Sequence, residues 1–221
     1  TGAVTQSPST AISTRTLTGS TVGPVNLGSP NTNTIPTLGA FTSDGFTLND
    51  GGSLSLTGVL AGGTGAVDLV SSETIAESGG SISTTGTLQT SSAGGTTLGG
   101  SNAIAGFNAD NSGGGISLTN AATLQITGIT QSGGGPVTVD NTGATTLTGA
   151  VSAGTGSVTL QATGTGGTLA LGANNVSGAG VTLEGVGVTQ STGSVVDAGS
   201  GDILVNGGGG AIAMAGALTT T

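Results

Sequence analysis

The feature that most limits the fold of this chain is an internal duplication of a β-strand pattern. In residues 46–70 (FTLNDGGSLSLTGVLAGGTGAVDLV), large apolar residues come in pairs that skip one residue, as in a strand with one buried face. The pattern returns about 70 residues later, where Ile116 takes the place of Phe46. Its second half returns at an offset of 91, where Leu147 takes the place of Leu56. The two offsets differ by about 21 residues, which we take as one coil of a solenoid.

Three columns of apolar residues follow that step along the chain. We expect Phe46, Val67, Leu88, Phe107, Ile129 and Val151 in the first column, Leu54, Ile75, Leu98, Ile116, Val137 and Val158 in the second, and Ile82, Ile104, Leu124 and Leu147 in the third. Three columns indicate three short strands per coil, joined by turns rich in glycine, asparagine and serine, such as 49–51 and 112–115. The predicted fold is all-β, a right-handed parallel β-helix with coils of roughly 21–23 residues. About ten such coils, stacked at ~4.8 Å, would give a rod roughly 50 Å long.

The two ends of the chain are less uniform than its middle. Proline cannot donate to an interior ladder, so the cluster of Pro8, Pro24, Pro30 and Pro36 predicts a less regular segment, or distorted first coils, at 1–40. Residues 41–221 are predicted to form one continuous β-solenoid. The chain begins at Thr1 without a signal-peptide pattern and stops in mid-pattern. We therefore expect it to be part of a longer chain or of a polymer.

Composition favours an ordered repeat protein over a disordered tract. Glycine supplies 47 of the 221 residues and charged residues only 5%. Disorder goes with low hydrophobicity and high charge, whereas the mean hydropathy here is +0.29. Helices are disfavoured because glycine and β-branched residues interrupt every candidate stripe.

The charge balance argues against two classes of partner. Ten carboxylates face a single cation, Arg15, and the net charge is -9. Such a surface repels phosphate backbones and anionic lipids, so we predict neither nucleic-acid binding nor membrane insertion. No apolar run approaches the ~20 residues that span a bilayer. The absence of cysteine excludes disulfides and thiolate metal sites.

An enzyme that acts on polysaccharides is the alternative that a β-helix suggests. The chain has no His, Lys, Cys, Tyr or Trp, which leaves only carboxylates as acids, bases or nucleophiles. We interpret the carboxylates as solvated turn residues, because at the offset from Phe46 to Ile116 three of them are replaced by glycine, asparagine and threonine. We expect no enzymatic activity and no catalytic, cofactor or metal site. The nearby carboxylate pairs that could form an acid/base couple are Asp44/Asp50, Glu73/Glu77 and Asp197/Asp202.

Three further motifs resemble known sites without matching them. Residues 62–68 approach a calcium-binding nonapeptide, but Asp68 stands one position late and its counterpart in the third copy is Thr159. Glycine runs such as SGGG lack the following helix or lysine of a phosphate cradle. Thr-x-Thr pairs resemble those of ice-binding faces, but they do not recur at the coil period and so predict no continuous flat array. These pairs are Thr14/Thr16, Thr32/Thr34, Thr85/Thr87 and Thr163/Thr165.

Two stretches of the chain are NTNTIPTLGAFTSDGFTLNDGGSLSLTGVL and GAVSAGTGSVTLQATGTGGTLALGANNVSGAGVTL. Such stretches resemble the repeat regions of filamentous-haemagglutinin-like and autotransporter-type adhesins of Gram-negative bacteria. The resemblance covers the chain from about Leu17 onward. It implies a right-handed parallel β-helix that is secreted, associated with the outer membrane at the cell surface, and active in adhesion, aggregation or biofilm formation. It brings no catalytic or binding motif with it.

These observations lead to one expected function and one alternative. We expect a structural and adhesive extracellular shaft, with a surface glycan or protein of host or bacterium as partner. The alternative is the subunit of a self-assembling filament, whose copies associate end to end or side by side.

Overall fold

The computed structural model describes residues 2–29 and 32–221. Thr1, Asn31 and Pro30, the last a member of the predicted proline cluster, lie outside that range. The described residues form 25 strands and no helix. In chain order the strands are β1 (Val4–Thr5), β2 (Thr16–Ser20), β3 (Val25–Leu27), β4 (Thr37–Thr42), β5 (Phe46–Asp50), β6 (Leu54–Leu56), β7 (Val59–Gly63), β8 (Val67–Ser71), β9 (Thr74–Glu77), β10 (Ser81–Ser92), β11 (Gly95–Asn111), β12 (Ile116–Asn120), β13 (Leu124–Gln131), β14 (Val137–Asn141), β15 (Thr145–Leu147), β16 (Val151–Ser152), β17 (Val158–Ala162), β18 (Leu169–Ala170), β19 (Val176–Ser177), β20 (Val181–Gly185), β21 (Val188–Gln190), β22 (Val195–Asp197), β23 (Ile203–Asn206), β24 (Ile212–Met214) and β25 (Ala217–Thr219).

All these strands stack in parallel and form a β-solenoid of about ten turns, which confirms the predicted fold class. Each coil has three sides, which we call B, C and A in the order the chain visits them. Side A contains β1, β3, β5, β8, residues 88–92, 106–111 and 129–131, β16, β19, β22 and β25. Side B contains residues 16–17 and 37–38, β6, β9, residues 95–98, β12, β14, β17, β20 and β23. Side C contains residues 19–20 and 41–42, β7, residues 81–84, 103–104 and 124–126, β15, β18, β21 and β24. Residues 106–107 pair with side A in the coil before and with residues 125–126 of side C in the coil after, so they lie where sides C and A meet.

The coil length varies along the rod. On side A, Val25 pairs with Phe46 and Phe46 with Val67, each a step of 21 along the chain. Leu88 then pairs with Phe107, a step of 19, while Val151 pairs with Val176, a step of 25. The turns absorb these differences, so the strands stay in line.

The predicted first column is correct as far as Phe107 and wrong in the next coil. Phe107 pairs with Ile126 rather than with Ile129, because the register shifts between Phe107 and Asn108. Ile129 instead pairs with Ala109. The pairing of Ile129 with Val151 agrees with the prediction.

Four pairings predicted in the other two columns are also wrong, namely those of Leu98 with Ile75 and with Ile116, of Ile82 with Ile104, and of Leu124 with Leu147. Ile104 pairs with Thr84 instead of Ile82. Thr96, and not Leu98, stands between Ile75 and Ile116 in the second column. In the third column, Leu124 pairs with Thr145, and Leu147 pairs with Ile126. In each case the strand has two inward-facing residues two positions apart. The residue that pairs is the one that was not predicted to do so.

The duplicated segments occupy different sides of the solenoid. Phe46 lies on side A, whereas Ile116, its counterpart in the duplication, lies on side B. Leu54 on side B corresponds to Leu124 on side C. The copy is therefore displaced by three coils and one side, as its offset requires when a coil has about 21 residues. The three sides accept the same sequence.

One aliphatic core runs the length of the rod. Alternate residues of each strand face inward, and side chains such as Leu48, Leu69 and Leu160 are fully buried. Each such side chain contributes about 1.5–3 kcal/mol through burial. Phe41 and Phe46 add an edge-to-face contact with ring centroids 5.0 Å apart. A single coil buries only a few of these side chains, so stability depends on stacking.

Buried polar side chains hold the corners between sides. At the B/C corner, Asn120 Oδ1 accepts the N–H of Ile104 at 2.9 Å. Asp50, the counterpart of Asn120 in the duplication, accepts the N–H of Ile35 at 2.6 Å at the A/B corner. Both side chains thus accept a hydrogen bond from a backbone N–H that, at a bend, has no carbonyl partner in a neighbouring strand. Asp50 is 1% exposed, so its interpretation as a solvated turn residue is wrong.

A column of glycines lets successive coils approach closely at the A/B corner. A Cβ on Gly114 would overlap the carbonyl oxygen of Gly94, one on Gly135 that of Gly114, and one on Gly156 that of Gly135. Only glycine leaves room for the neighbouring carbonyl at these positions.

The predicted first segment, residues 1–40, contains β1 to β3 and part of β4. Val4 pairs with Val25 and Thr16 with Thr37, each again a step of 21 along the chain. Val4 and Val22 are exposed there. The core is thinner in this part than in the coils that follow.

Candidate functional site

The first carboxylate pair from the sequence is divided between two corners. Asp44 precedes β5 on the surface, and Asp50 ends that strand inside the rod. Asp44 Oδ1 accepts the Thr64 hydroxyl at 2.9 Å and the N–H groups of Thr64 and Gly65 at 2.8 and 3.1 Å. Hydrogen bonds from Thr64 and Gly65 lower the pKa of Asp44. Both carboxylates fasten loops of neighbouring coils.

The third pair, Asp197 and Asp202, flanks another A/B corner. Asp197 Oδ1 accepts the N–H of Gly199 at 2.9 Å and so closes the turn after β22. Asp202 is exposed just before β23. Neither residue lines the depressions described below.

The calcium-like segment separates its glycines from its acid. Gly62 and Gly63 end β7 on side C, whereas Asp68 lies in β8 on side A. Burial raises the pKa of Asp68, and its Oδ1 has no hydrogen-bond partner within residues 2–29 and 32–221. Within residues 2–29 and 32–221, no group of three or more His, Cys, Asp or Glu side chains is placed to hold a metal ion.

The remaining pair, Glu73 and Glu77, brackets β9 on side B. Glu73 is exposed and accepts the Ser53 hydroxyl at 2.6 Å. Glu77 is half-buried, which corrects its interpretation as a solvated turn residue. Its backbone pairs with Leu56 one coil earlier, in the inward-facing register of side B. The inward residues of this column in the other coils are Leu17, Leu38, Leu56, Leu98, Leu118, Val139, Leu160, Leu183 and Val205.

Glu77 is thus a carboxylate in a column of aliphatic side chains. Its Oε2 accepts the N–H of Gly100 at 2.6 Å and Nδ2 of Asn102 at 3.1 Å. Its Oε1 is buried and has no hydrogen-bond partner among the described residues. Burial raises the pKa of Glu77, and the hydrogen bonds from Gly100 and Asn102 offset part of that rise. A polar group that breaks an otherwise regular core pattern marks a candidate functional site.

Two depressions on side B meet beside Glu77. The first, of about 440 Å³, lies at the B/C corner and is lined by Glu77, Gly79, Gly80, Ser81, Thr97, Gly99, Gly100 and Ser101. The second, of about 390 Å³, begins at the A/B corner, and its lining includes Thr97, Ser117, Thr138 and the glycines Gly94, Gly95 and Gly115. Thr97 belongs to both. Together the depressions extend across side B from corner to corner.

A column of hydroxyl side chains runs along the outside of side B. Thr97 pairs with Ser117, Ser117 with Thr138, and these continue to Thr159 and Thr182. Toward the start of the rod the same column holds Ala76, Ser55, Thr37 and Thr16. This column is interrupted by Ala76. The sequence prediction that the Thr-x-Thr pairs form no continuous flat array concerns a different arrangement and stays a prediction. That prediction considered Thr-x-Thr pairs within a strand, whereas the column runs between strands at varying steps and includes serine.

The depressions and this column form the candidate functional site, which we call the side B surface. The sequence signal that could have revealed its carboxylate is the regular coil step from Leu56 to Glu77 and from Glu77 to Leu98. No helix in the described residues is long and apolar enough to cross a membrane. No protein-family model, curated protein or solved structure matches the chain.

Proposed function

We propose that this chain is a structural and adhesive rod, a shaft segment of an extracellular cell-surface adhesin. The observation that supports this proposal is the unbroken parallel stack of about ten turns, which fixes a rod roughly 50 Å long at ~4.8 Å per coil. A stack of this kind holds two points at a constant distance, and its stability rises with each coil. The resemblance of its repeats to those of bacterial adhesins supports the same assignment.

The character of the lateral surface adds to this proposal. On side B the outward positions hold hydroxyls and, in the column from Thr119 to Asp140 and Gln161, polar and acidic groups. Rods with such a surface resist association at high local density, because the net charge of -9 on each rod repels its neighbours. Contacts with a partner then arise from many weak hydrogen bonds along the rod.

Adhesion of coated beads tests this function. Beads that carry the chain should be retained on bacterial or host cell layers well above beads coated with albumin, and should aggregate bacteria. Retention no higher than that of albumin beads would overturn the proposal. Electron micrographs of the free chain distinguish the alternative, since single rods accord with a shaft and long polymers with a filament subunit.

We expect no catalysis from the same preparation. Incubation with neutral and acidic polysaccharides should release no reducing ends, because neither depression has more than one carboxylate in its lining, so no acid/base couple faces a bound chain. Cleavage that disappears in an Asp→Asn variant would contradict this expectation.

A further inference from the structure

We propose that the side B surface binds a neutral polysaccharide chain, with Glu77 as the group that anchors it. This inference rests on the proposed adhesive function and names the class of partner that the adhesive surface takes. Three observations support it: the shape of the surface, the chemistry of Glu77, and the poor fit of other classes of partner.

The shape of the side B surface suits an extended polymer. The two depressions share Thr97 and cross the whole side, so they accommodate a chain rather than a compact molecule. Glycines form much of the floor, and Gly79 and Gly99 have nothing within 4 Å of the place where a Cβ would stand. A ligand can therefore approach the backbone closely along the B/C corner.

The polar groups of the surface suit hydroxyl-bearing units. Thr97, Ser81 and Ser101 line the first depression, and Ser117 and Thr138 line the second. Each hydroxyl both donates and accepts a hydrogen bond, as a sugar hydroxyl does. Because rungs of a parallel stack are ~4.8 Å apart, the hydroxyl column offers repeated contacts to a repeating chain.

Glu77 supplies the strongest hydrogen-bonding group in the first depression. Its Oε2 is already engaged by Gly100 and Asn102, whereas its Oε1 is buried without a partner in the described structure. Because Glu77 lines the first depression, a ligand hydroxyl binds Oε1 once the carboxylate turns toward that depression. Burial raises its pKa, so the protonated form persists to higher pH than in an exposed glutamate. A ligand hydroxyl satisfies either form, since it donates to a carboxylate and accepts from a protonated carboxyl. A cation would satisfy only the ionised form.

Other classes of partner fit this surface less well. Anionic polymers meet a net charge of -9 and find no cation among the residues that line the depressions. An added peptide strand requires a free sheet edge, but β9 is paired with β6 on one side and β11 on the other. The single carboxylate of Glu77 falls short of the several oxygen ligands that Ca²⁺ needs.

Binding to insoluble and soluble polysaccharides tests the proposal. The full chain is mixed with cellulose, chitin and dextran as neutral probes, and with alginate and chitosan as anionic and cationic probes. We expect binding to at least one neutral probe and none to alginate. If the chain binds none of the neutral probes, or binds only alginate or chitosan, the proposed partner class is wrong.

Two variants locate the site. Glu77→Leu restores the aliphatic column of side B and should fold at least as well as the parent chain. Gly99→Leu fills the open space of the first depression without a backbone clash. Each should weaken neutral polysaccharide binding at least tenfold. Glu73→Gln, earlier in the same segment and outside both depressions, should leave binding unchanged. Circular dichroism confirms that all three variants are folded.

The outcomes separate this proposal from the proposed function. If both Glu77→Leu and Gly99→Leu bind the neutral probe as the parent chain does, the side B site is wrong. If beads coated with these variants still adhere to cells as the parent does, adhesion stands and uses another surface. If parent beads do not adhere but the parent chain binds the polysaccharide, the shaft function fails and the site stands.

Discussion

Asn120 Nδ2 donates a hydrogen bond of 3.1 Å to Oδ1 of Asn141, which lies one coil further along at the B/C corner. The same amide group also donates to the carbonyl oxygens of Ile104 and Ala122, each at 3.2 Å. With Oδ1 on the N–H of Ile104, this one side chain joins three consecutive coils. It does so inside the rod, where unpaired backbone groups are costly.

Asn120→Ala should therefore destabilise the rod. It leaves the buried N–H of Ile104 without a partner, and an unpaired buried group costs about 1–3 kcal/mol. Urea denaturation measures the loss. Asn108→Ala, at a half-buried outward position on side A, is the matched control and should change the unfolding free energy by less than about 0.5 kcal/mol. Equal effects of the two substitutions would show that the corner bonds contribute little.

Thr90→Val should stabilise the rod. Thr90 is 0% exposed and stands between Leu69 and Ala109 on side A. Its hydroxyl has no hydrogen-bond partner in the part of the chain that the structure describes. Valine has nearly the same shape and removes the cost of burying that hydroxyl, which is about 1–3 kcal/mol. The midpoint of thermal unfolding should rise. Thr159→Val, on the outward face of side B, should leave it unchanged. A fall in the midpoint for Thr90→Val would mean that the hydroxyl is bonded in solution.

Gly135→Ala should disrupt stacking at the A/B corner. The added methyl would overlap the carbonyl oxygen of Gly114, so the coils must separate locally, at a cost of about 1–3 kcal/mol or more. Gly99→Ala is the control, because nothing lies within 4 Å of its Cβ position and its φ is not positive. Thermal unfolding should place Gly135→Ala well below the parent and Gly99→Ala at or slightly above it. The reverse order would show that this corner is not closely packed.

Glu77 and Asp68 should each lower the stability of the rod as the pH rises through the acidic range, whereas Asp44, whose pKa is lowered, acts in the opposite direction. Burial raises the pKa of Glu77 above its ordinary 4.5 and that of Asp68 above 3.8, so the folded state holds both protons more tightly than the unfolded state. This contribution is complete below those ordinary values and is lost as the pH passes through the higher pKa values of the folded state. Urea denaturation at a series of pH values from about 3.5 to about 7 measures the slope.

Glu77→Gln and Asp68→Asn test the origin of that slope. Each removes one titrating group, so each should flatten part of the fall in unfolding free energy, and the double variant should flatten more. Glu73→Gln serves as the control with the carboxylate at an exposed position. A double-variant profile that runs parallel to the parent profile would contradict the burial of these two carboxyl groups.

Much of the fold could be predicted because its signal repeats. The column from Phe46 to Val67, Leu88 and Phe107 follows from period-2 alternation and a nearly constant coil step, and both are visible in the sequence. Beyond Phe107 the coil is shorter than at Phe46, and Ile126 and Ile129 are both suitable inward residues. Apolar pattern alone does not choose between them, since the choice depends on how the intervening turn closes.

The candidate site was less predictable for a related reason. Glu77 and Glu73 look alike in the sequence, yet one replaces a core leucine and the other accepts a surface hydroxyl. Asp50 looked like a turn residue because asparagine and glycine flank it, although it lies inside the corner. Whether a carboxylate is solvated depends on the side of the strand it occupies, and this follows only from the register between coils.

The displacement of the duplicated segment by one side has a consequence for how such rods vary in length and display. One strand with its turn makes up a third of a coil. An insertion of this length is the smallest that keeps strands on the sides of the coil and turns at its corners. Repeated copying of a segment at such offsets would place the outward residues of successive copies on each of the three sides in turn. A partner that recognises one copy would then bind the others from different directions. A long rod would present binding surfaces on all three of its sides.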